Sequence, residues 1–218
     1  MTVMHHPSAD TLARFTGGSL RAGLSLVVSA HLSGCAACQA QVEGFEAVAG
    51  ALLEAMPEAP LAHESVEIAL AGIERPPPPP RVGRLARFRA DLPGSIVVPP
   101  SLRDRDVGPW RWLSPGVRWT RVAVPEDSES LVFLIRVAAG RKLPEHGHSG
   151  LELTHVLSGS FHDVDGRYFP GDTLEADPDV DHQPIADADM DCICLAAVEG
   201  GVTLRGLMGR VLRSVMSR

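Results

Sequence analysis

Two stretches of the chain gather residue types that bind metal ions. His146-Gly147-His148 sets two imidazoles two positions apart. On an extended strand these point to the same face, about 7 Å apart along the backbone, so both can reach one ion. Ser149-Gly150 permits a turn, and Glu152 opens the next segment, where its carboxylate returns toward the same point. Imidazole and carboxylate suit first-row divalent metals, with Zn, Fe(II), Mn, Ni and Cu all chemically admissible. Earlier in the chain, His31-x3-Cys35-x2-Cys38 brings an imidazole and two sulfurs to the end of one helix and the start of the next. His6, just before the first helix, is the candidate fourth ligand, and His5 is the neighbour that could substitute. Two histidines with two cysteines form a zinc set. A redox pair of the thioredoxin type is the rival for Cys35-x-x-Cys38, but that motif follows a strand and this one follows a helix. Two unrelated buried cysteines are the third option.

These residues need elements to hold them. Residues 1–74 read as helical. Ser8 is a candidate N-cap for a short helix carrying Leu12 and Phe15, ended by Gly17-Gly18. A second helix near 19–32 places Leu20, Leu24, Val27, Val28 and His31 on one face. A third, about 36–56, repeats the spacing with Val42, Phe45, Val48, Ala49, Leu52 and Met56, and Pro57 and Pro60 close it; a fourth covers about 63–74. So small a helical domain buries little core, and a metal staple is expected. Arg75-Pro76-Pro77-Pro78-Pro79-Pro80-Arg81 then reads as a semi-rigid spacer.

From about residue 107 the pattern turns to short runs of Val, Leu, Ile and Phe between turn residues. Strands are expected over 117–124, 131–137, 151–157, 160–164 and 192–198, with Asp165-Gly166 and Pro170-Gly171 supplying turns. That spacing suits an all-β sandwich or barrel. Residues 202–217 read as a C-terminal helix, since Leu204, Leu207, Met208, Val211 and Leu212 share a helical face. The expected boundaries are a helical domain over 1–75, a basic Pro-rich linker over 76–106, the β domain over 107–200 and a tail over 201–218.

The net charge of −7 hides a segregation. Residues 1–74 carry 2 basic and 8 acidic side chains, residues 75–121 carry 10 and 3, and residues 122–218 carry 8 and 16. An acidic helical domain repels phosphates, which argues against direct DNA binding, yet it attracts a protein whose own surface is built to bind DNA. Solubility alone is the simpler use of such charge. No apolar run approaches the roughly 18 residues of a membrane span, and the N-terminus lacks the layout of a secretory signal, so a cytoplasmic location is expected. Four cysteines, as Cys35-x-x-Cys38 and Cys192-x-Cys194, do not resemble a secreted disulfide framework. On a strand, Cys192 and Cys194 point the same way, a poor geometry for a bridge.

The pattern Gly140-x5-His146-x-His148-x3-Glu152-x6-Gly159 resembles the first motif of the cupin family at every fixed position. Gly166, Pro170 and Gly171 match its second motif, but His182 follows a longer loop than usual and no Asn stands at the usual place after it. The resemblance implies a cupin β-barrel with a metal held by His146, His148, Glu152 and His182. His155 and His162 are taken as structural. The pattern His6-x24-His31-x3-Cys35-x2-Cys38 resembles the zinc-binding anti-sigma domain, and followed by a cupin it is similar to the ChrR group of anti-sigma factors. The likeness covers nearly the whole chain, including Asp191-Cys192-Ile193-Cys194-Leu195; the proline-rich linker departs from it. It implies zinc in the N-terminal site and Zn, Fe, Mn or Ni in the cupin. It also implies a 1:1 complex with an extracytoplasmic-function sigma factor, no enzymatic activity, and release on an oxidative signal of the singlet-oxygen type. The competing expectation is a metal-dependent cupin enzyme, a dioxygenase or isomerase, with an accessory helical domain.

Overall fold

The computed structural model describes residues 3–74, 92, 96–178 and 180–204. Four helices come first: α1 (Ala9–Thr16), α2 (Ala22–Leu32), α3 (Ala36–Glu54) and α4 (Ser65–Glu74). Ser8 caps α1 as expected, its hydroxyl accepting the Thr11 N–H at 3.1 Å. After a short 3-10 turn at Pro100–Leu102 come eleven strands. They are β1 (Arg111–Ser114), β2 (Val117–Arg121), β3 (Ser130–Val137), β4 (His146–His148), β5 (Glu152–Ser158), β6 (Phe161–His162), β7 (Arg167–Tyr168), β8 (Thr173–Ala176), β9 (Ile185–Ala186), β10 (Cys192–Glu199) and β11 (Val202–Leu204).

The strands form three antiparallel sheets rather than one continuous cylinder: β1-β2-β3-β10-β5-β8, β7-β6-β9 and β11-β4. The central strands β3, β10 and β5 of the six-stranded sheet are buried on both faces, and their side chains alternate between two cores. Phe133, Ile135 and Val137 of β3 join Cys192, Cys194 and Ala196 of β10 on the inner face. Val132, Leu134, Leu153, Leu195 and Ala197 face the helices. On β5 the same alternation decides the chemistry: Glu152 points inward, and His155, three positions on, faces α2.

Helix α2 departs from its expected single apolar face. Gly23, Leu24, Leu26, Val27, Val28, Ala30 and His31 are all buried, because the helix lies between the other helices and the sheet, against β3, β5 and β10. A helix apolar all round is one that is covered all round. Full burial of Leu24, Val27 and Val28 contributes roughly 1.5–3 kcal/mol each. Gly23 permits the approach, since a Cβ there would stand 2.7 Å from the Cβ of Ser130, and its N–H donates to Asp127 Oδ2 at 2.9 Å. The helical and β parts therefore share one core.

Helix α3 departs in the opposite sense. Of its expected apolar stripe only Val42 is buried and Phe45 half-buried, while Val48, Ala49, Leu52 and Met56 lie exposed beyond the end of the bundle. The strand expected over 160–164 shortens to Phe161–His162, because the Asp163 carboxylate accepts the N–H groups of Asp165 and Gly166 and turns the chain. No helix begins at residue 202: Val202–Leu204 pairs with β4, where β-branched Val202 and Thr203 suit a strand and Val202 packs on the inner core. The rest of that expected helix, 205–218, and the proline run lie outside the described residues. None of the described helices is long and apolar enough to cross a membrane.

Candidate metal centres

Strand β4 presents His146 and His148, the turn after it delivers Glu152 at the start of β5, and an isolated antiparallel bridge brings His182 to His146. In that bridge the His146 N–H donates to the His182 carbonyl at 3.1 Å and the His182 N–H to the His146 carbonyl at 2.9 Å. The longer loop of the second motif is thereby absorbed. One ligand atom from each of His146, His148, Glu152 and His182 lies within 4.8 Å of the others. Nε2 of His182 is 3.0 Å from Nε2 of His146 and 3.4 Å from Nε2 of His148, and Glu152 Oε2 is 2.9 Å from His148 Nε2.

Apart from the pair between His148 Nε2 and Glu152 Oε2, these nitrogens do not form an ordinary hydrogen-bond network. His146 Nδ1–H donates to the Pro144 carbonyl at 2.9 Å, which leaves its Nε2 as a bare lone pair aimed at the other rings. Converging lone pairs repel unless a cation sits between them. Nitrogens around a tetrahedral zinc stand about 3.3–3.4 Å apart given the usual Zn–N length. Burial opposes ionisation of Glu152, but the hydrogen bond from His148 and the charges of His146, His148 and His182 outweigh it and hold the carboxyl down at about 2. The donor set therefore fits a divalent metal.

Inward from this cluster lies an apolar cavity of about 70 Å³. Cys192 and Cys194 line it as free thiols with sulfurs 3.6 Å apart. The mutual hydrogen bond and burial push the Cys194 thiol well above its ordinary range. Among the described residues, no Arg or Lys lines the cavity.

The second cluster lies where α1, α2 and α3 meet. His6 Nδ1 is 3.4 Å from Cys35 Sγ and 3.3 Å from Cys38 Sγ, and His31 Nε2 is 3.3 Å from Cys38 Sγ. His6, not His5, completes the group: His5 turns away to pack against Tyr168, with ring centroids 4.3 Å apart and the planes tilted by 40°. Burial and the facing Cys35 push the Cys38 thiol up to about 12, and burial and the neighbouring His6 bring His31 down to about 4. A divalent cation reverses the first effect, because a coordinating thiol is deprotonated outright. These two groups contain all eight ligand candidates and no others among the described residues.

Two histidines lie outside both groups. His162 Nδ1 stands 3.0 Å from Asp187 Oδ1, beside Arg167 on the same carboxylate, a surface latch between β6 and β9. His155 is buried against Thr173 at 3.0 Å, and its ring meets that of His31 edge to face. Burial, reinforced by His31 and opposed by Asp172, lowers it to about 4. A histidine kept neutral in the fold and charged when unfolded costs stability as pH falls. The full contribution holds above about 6.5 and is lost as pH drops toward 4, on the order of 3 kcal/mol. Chemical denaturation of the metal-free chain at pH 4.5 and 7 is expected to show a smaller pH effect in His155→Phe than in wild type; identical slopes would contradict this account.

Residues 101–200 match the family described as ChrR Cupin-like domain. The chain is 35% identical over 213 residues to Anti-sigma-E factor ChrR of Cereibacter sphaeroides, covering 98% of each protein. The chain belongs to the ChrR family of anti-sigma factors. It also matches the ChrR crystallised in complex with Rhodobacter sphaeroides SigE, with a TM-score of 0.71 and 34% identity over 91% of this chain and 100% of that one. The ChrR likeness thus spans both metal clusters and the shared core between them, so the helical part and the cupin part come as one inherited arrangement.

What the local sequence did not disclose was the contact between the two parts. The turn Gly171-Asp172-Thr173 grips the N-terminal segment: Asp172 Oδ1 accepts the N–H groups of Met4 and His5 at 2.7 and 3.1 Å, and the Thr173 N–H donates to the His5 carbonyl at 3.0 Å. Glu175 accepts from Ser8 and Thr11 just beyond. Partners some 167 positions apart leave no local pattern, and Pro170-Gly171 reads only as a turn.

Proposed function

We propose that the chain sequesters an extracytoplasmic-function sigma factor through its N-terminal helical domain, residues 1–75, held in shape by zinc on His6, His31, Cys35 and Cys38. The cupin, residues 107–200, with a metal on His146, His148, Glu152 and His182, senses an oxidative signal of the singlet-oxygen type and triggers release. The observation that carries the first half is the apolar strip left uncovered on α3 and α4: Val48, Leu52, Leu53, Met56, Val66, Ile68, Leu70 and Ile73 are each more than half exposed. Large apolar side chains left exposed in such number on two helices are suited to a protein interface. The acid-rich composition of residues 1–74 adds attraction for a partner with basic DNA-binding faces.

The second half rests on chemistry. An imidazole of the candidate metal site and a thiol pair lining the same cavity are groups an oxidant attacks, and the thiols stand on β10, which also packs against α2. An apolar cavity of this size without a cationic side chain suits a small neutral species better than the anionic substrate of an enzyme.

Co-expression with extracytoplasmic-function sigma factors tests the capture. Wild type is expected to purify with its sigma factor as a 1:1 complex. Leu52→Glu and Ile68→Glu are expected to weaken that complex at least tenfold while leaving the melting temperature of the free protein unchanged, since neither side chain is packed in it. Undiminished binding by both variants would show that the strip is not the interface.

A further inference from the structure

His31 has two ring nitrogens, and the helical cluster uses one. Nε2 faces Cys38, and Nδ1 lies 3.1 Å from the Gly171 carbonyl and 2.9 Å from Thr173 Oγ1, both in the cupin. If Nε2 is to ligate, the proton belongs on Nδ1, which then donates to Gly171 O and Thr173 Oγ1. The Thr173 hydroxyl, having accepted from His31, donates its own proton to His155 Nδ1 at 3.0 Å. The chain of donors is thereby polarised in one direction from the cluster into the sheet. The second histidine is tied to the same turn. Asp172, 1% exposed, accepts the backbone N–H groups of Met4 and His5, so it fixes the segment that delivers His6.

We infer that the cupin turn Gly171-Asp172-Thr173, with His155 behind it, is the outer shell of the helical zinc site. The ligands of the helical centre come from the helices and the segment before them, and the cupin supplies the groups that orient two of them. This rests on the zinc assignment of His6, His31, Cys35 and Cys38. Outer-shell partners of ligating histidines orient the ring and raise its basicity, and their loss typically costs about 10–100-fold in metal affinity. The arrangement also ties the two centres together. Strands β5 and β8 pair Glu152 with Ala176 and His155 with Thr173, so the strand that offers Glu152 to the inner metal presses His155 toward the outer one. Displacement of these strands loosens His31 and His6 without any change in the cysteines.

Cobalt loading of the full-length protein tests this. A thiolate-to-cobalt charge-transfer band reports only a site with cysteine ligands, and its loss in Cys38→Ser assigns it to the helical cluster. Competition against a chelator is expected to show cobalt affinity about tenfold weaker in Thr173→Val, restored in Thr173→Ser, which keeps the hydroxyl. Asp172→Asn is expected to weaken it comparably through His6. Asp127→Asn is the docking control: it touches α2 at Gly23, eight residues or about 12 Å along the helix from His31. It is expected to lower the melting temperature and leave cobalt affinity within about twofold of wild type. Wild-type affinity in both Thr173→Val and Asp172→Asn overturns the inference, as does an equal loss in Asp127→Asn. Absence of a Cys38-dependent band in wild type defeats the zinc assignment itself, and the inference with it.

Discussion

Replacing Cys38 by Ser in the full chain is expected to abolish sigma-factor capture, weakening it by roughly a hundredfold or more, and to remove one metal equivalent. The reason lies in how little else fixes α3. Only Cys38 and Val42 of that helix are buried, and Cys35, its N-cap, adds a third buried side chain. The apolar strip proposed to meet the partner begins at Val48, two turns further on, so its position depends on the orientation set at the metal end. Structural zinc supplies apparent free energies of about 10–16 kcal/mol in small domains, comparable to the whole stability of a typical fold. Without it, the buried Cys38 thiol and the His31 imidazole stay neutral, and no ion draws the three elements together. Cys38→Ser is checked by metal content and by co-purification with the sigma factor, alongside His146→Ala as the control at the other centre. Full capture by a zinc-free Cys38→Ser protein would show that the metal does not shape the binding face.

The two candidate clusters were legible in the sequence because both are built largely from short-range spacing. His-x-His on a strand and Cys-x-x-Cys at a helix start fix geometry through periodicity alone, so His146, His148, Cys35 and Cys38 announce themselves. His182 needed a family pattern and His6 the assumption that the helices pack together, since each arrives from a distance; the structure brings His182 in through its bridge to His146. Neighbouring residues could not separate His6 from His5, and it was Tyr168, far along the chain, that settled which one turns away. The same limit explains the misjudged helices. A stripe on α2 and another on α3 look alike in sequence, yet α2 is enclosed by the sheet and α3 runs past it. Periodicity tells which residues share a face, and only the tertiary arrangement tells whether that face is covered. Leu204 with Leu207, Met208 and Val211 had helical spacing, but backbone pairing to β4 claims its first turn.

Glu152→Gln is expected to have the opposite phenotype to Cys38→Ser: sigma-factor capture unchanged, cupin metal affinity lower by about two orders of magnitude, and release by oxidant lost. Glu152 is the one carboxylate among three imidazoles in the candidate set, so the substitution removes the negative charge that offsets a divalent ion. Its Oε1 accepts from Thr154 at 2.8 Å and its Oε2 faces His148 at 2.9 Å, so an amide of the same shape presents a donor where one of these acceptors is required. The fold tolerates this better than it would a truncation, because the side chain still fills its place in the inner wall. Capture depends on the helices, whose contacts with the sheet arise from the opposite face of β5, through Leu153 and His155. On the proposed reading, binding and sensing are separable at a single strand, whose alternate side chains face the two candidate centres. The decisive measurement is sigma-dependent transcription in a reconstituted reaction, with and without an oxidant, for wild type and Glu152→Gln. Repression that remains complete in the variant after oxidant has relieved the wild type is the expected result, and equal relief in both would remove the cupin metal from the signalling path.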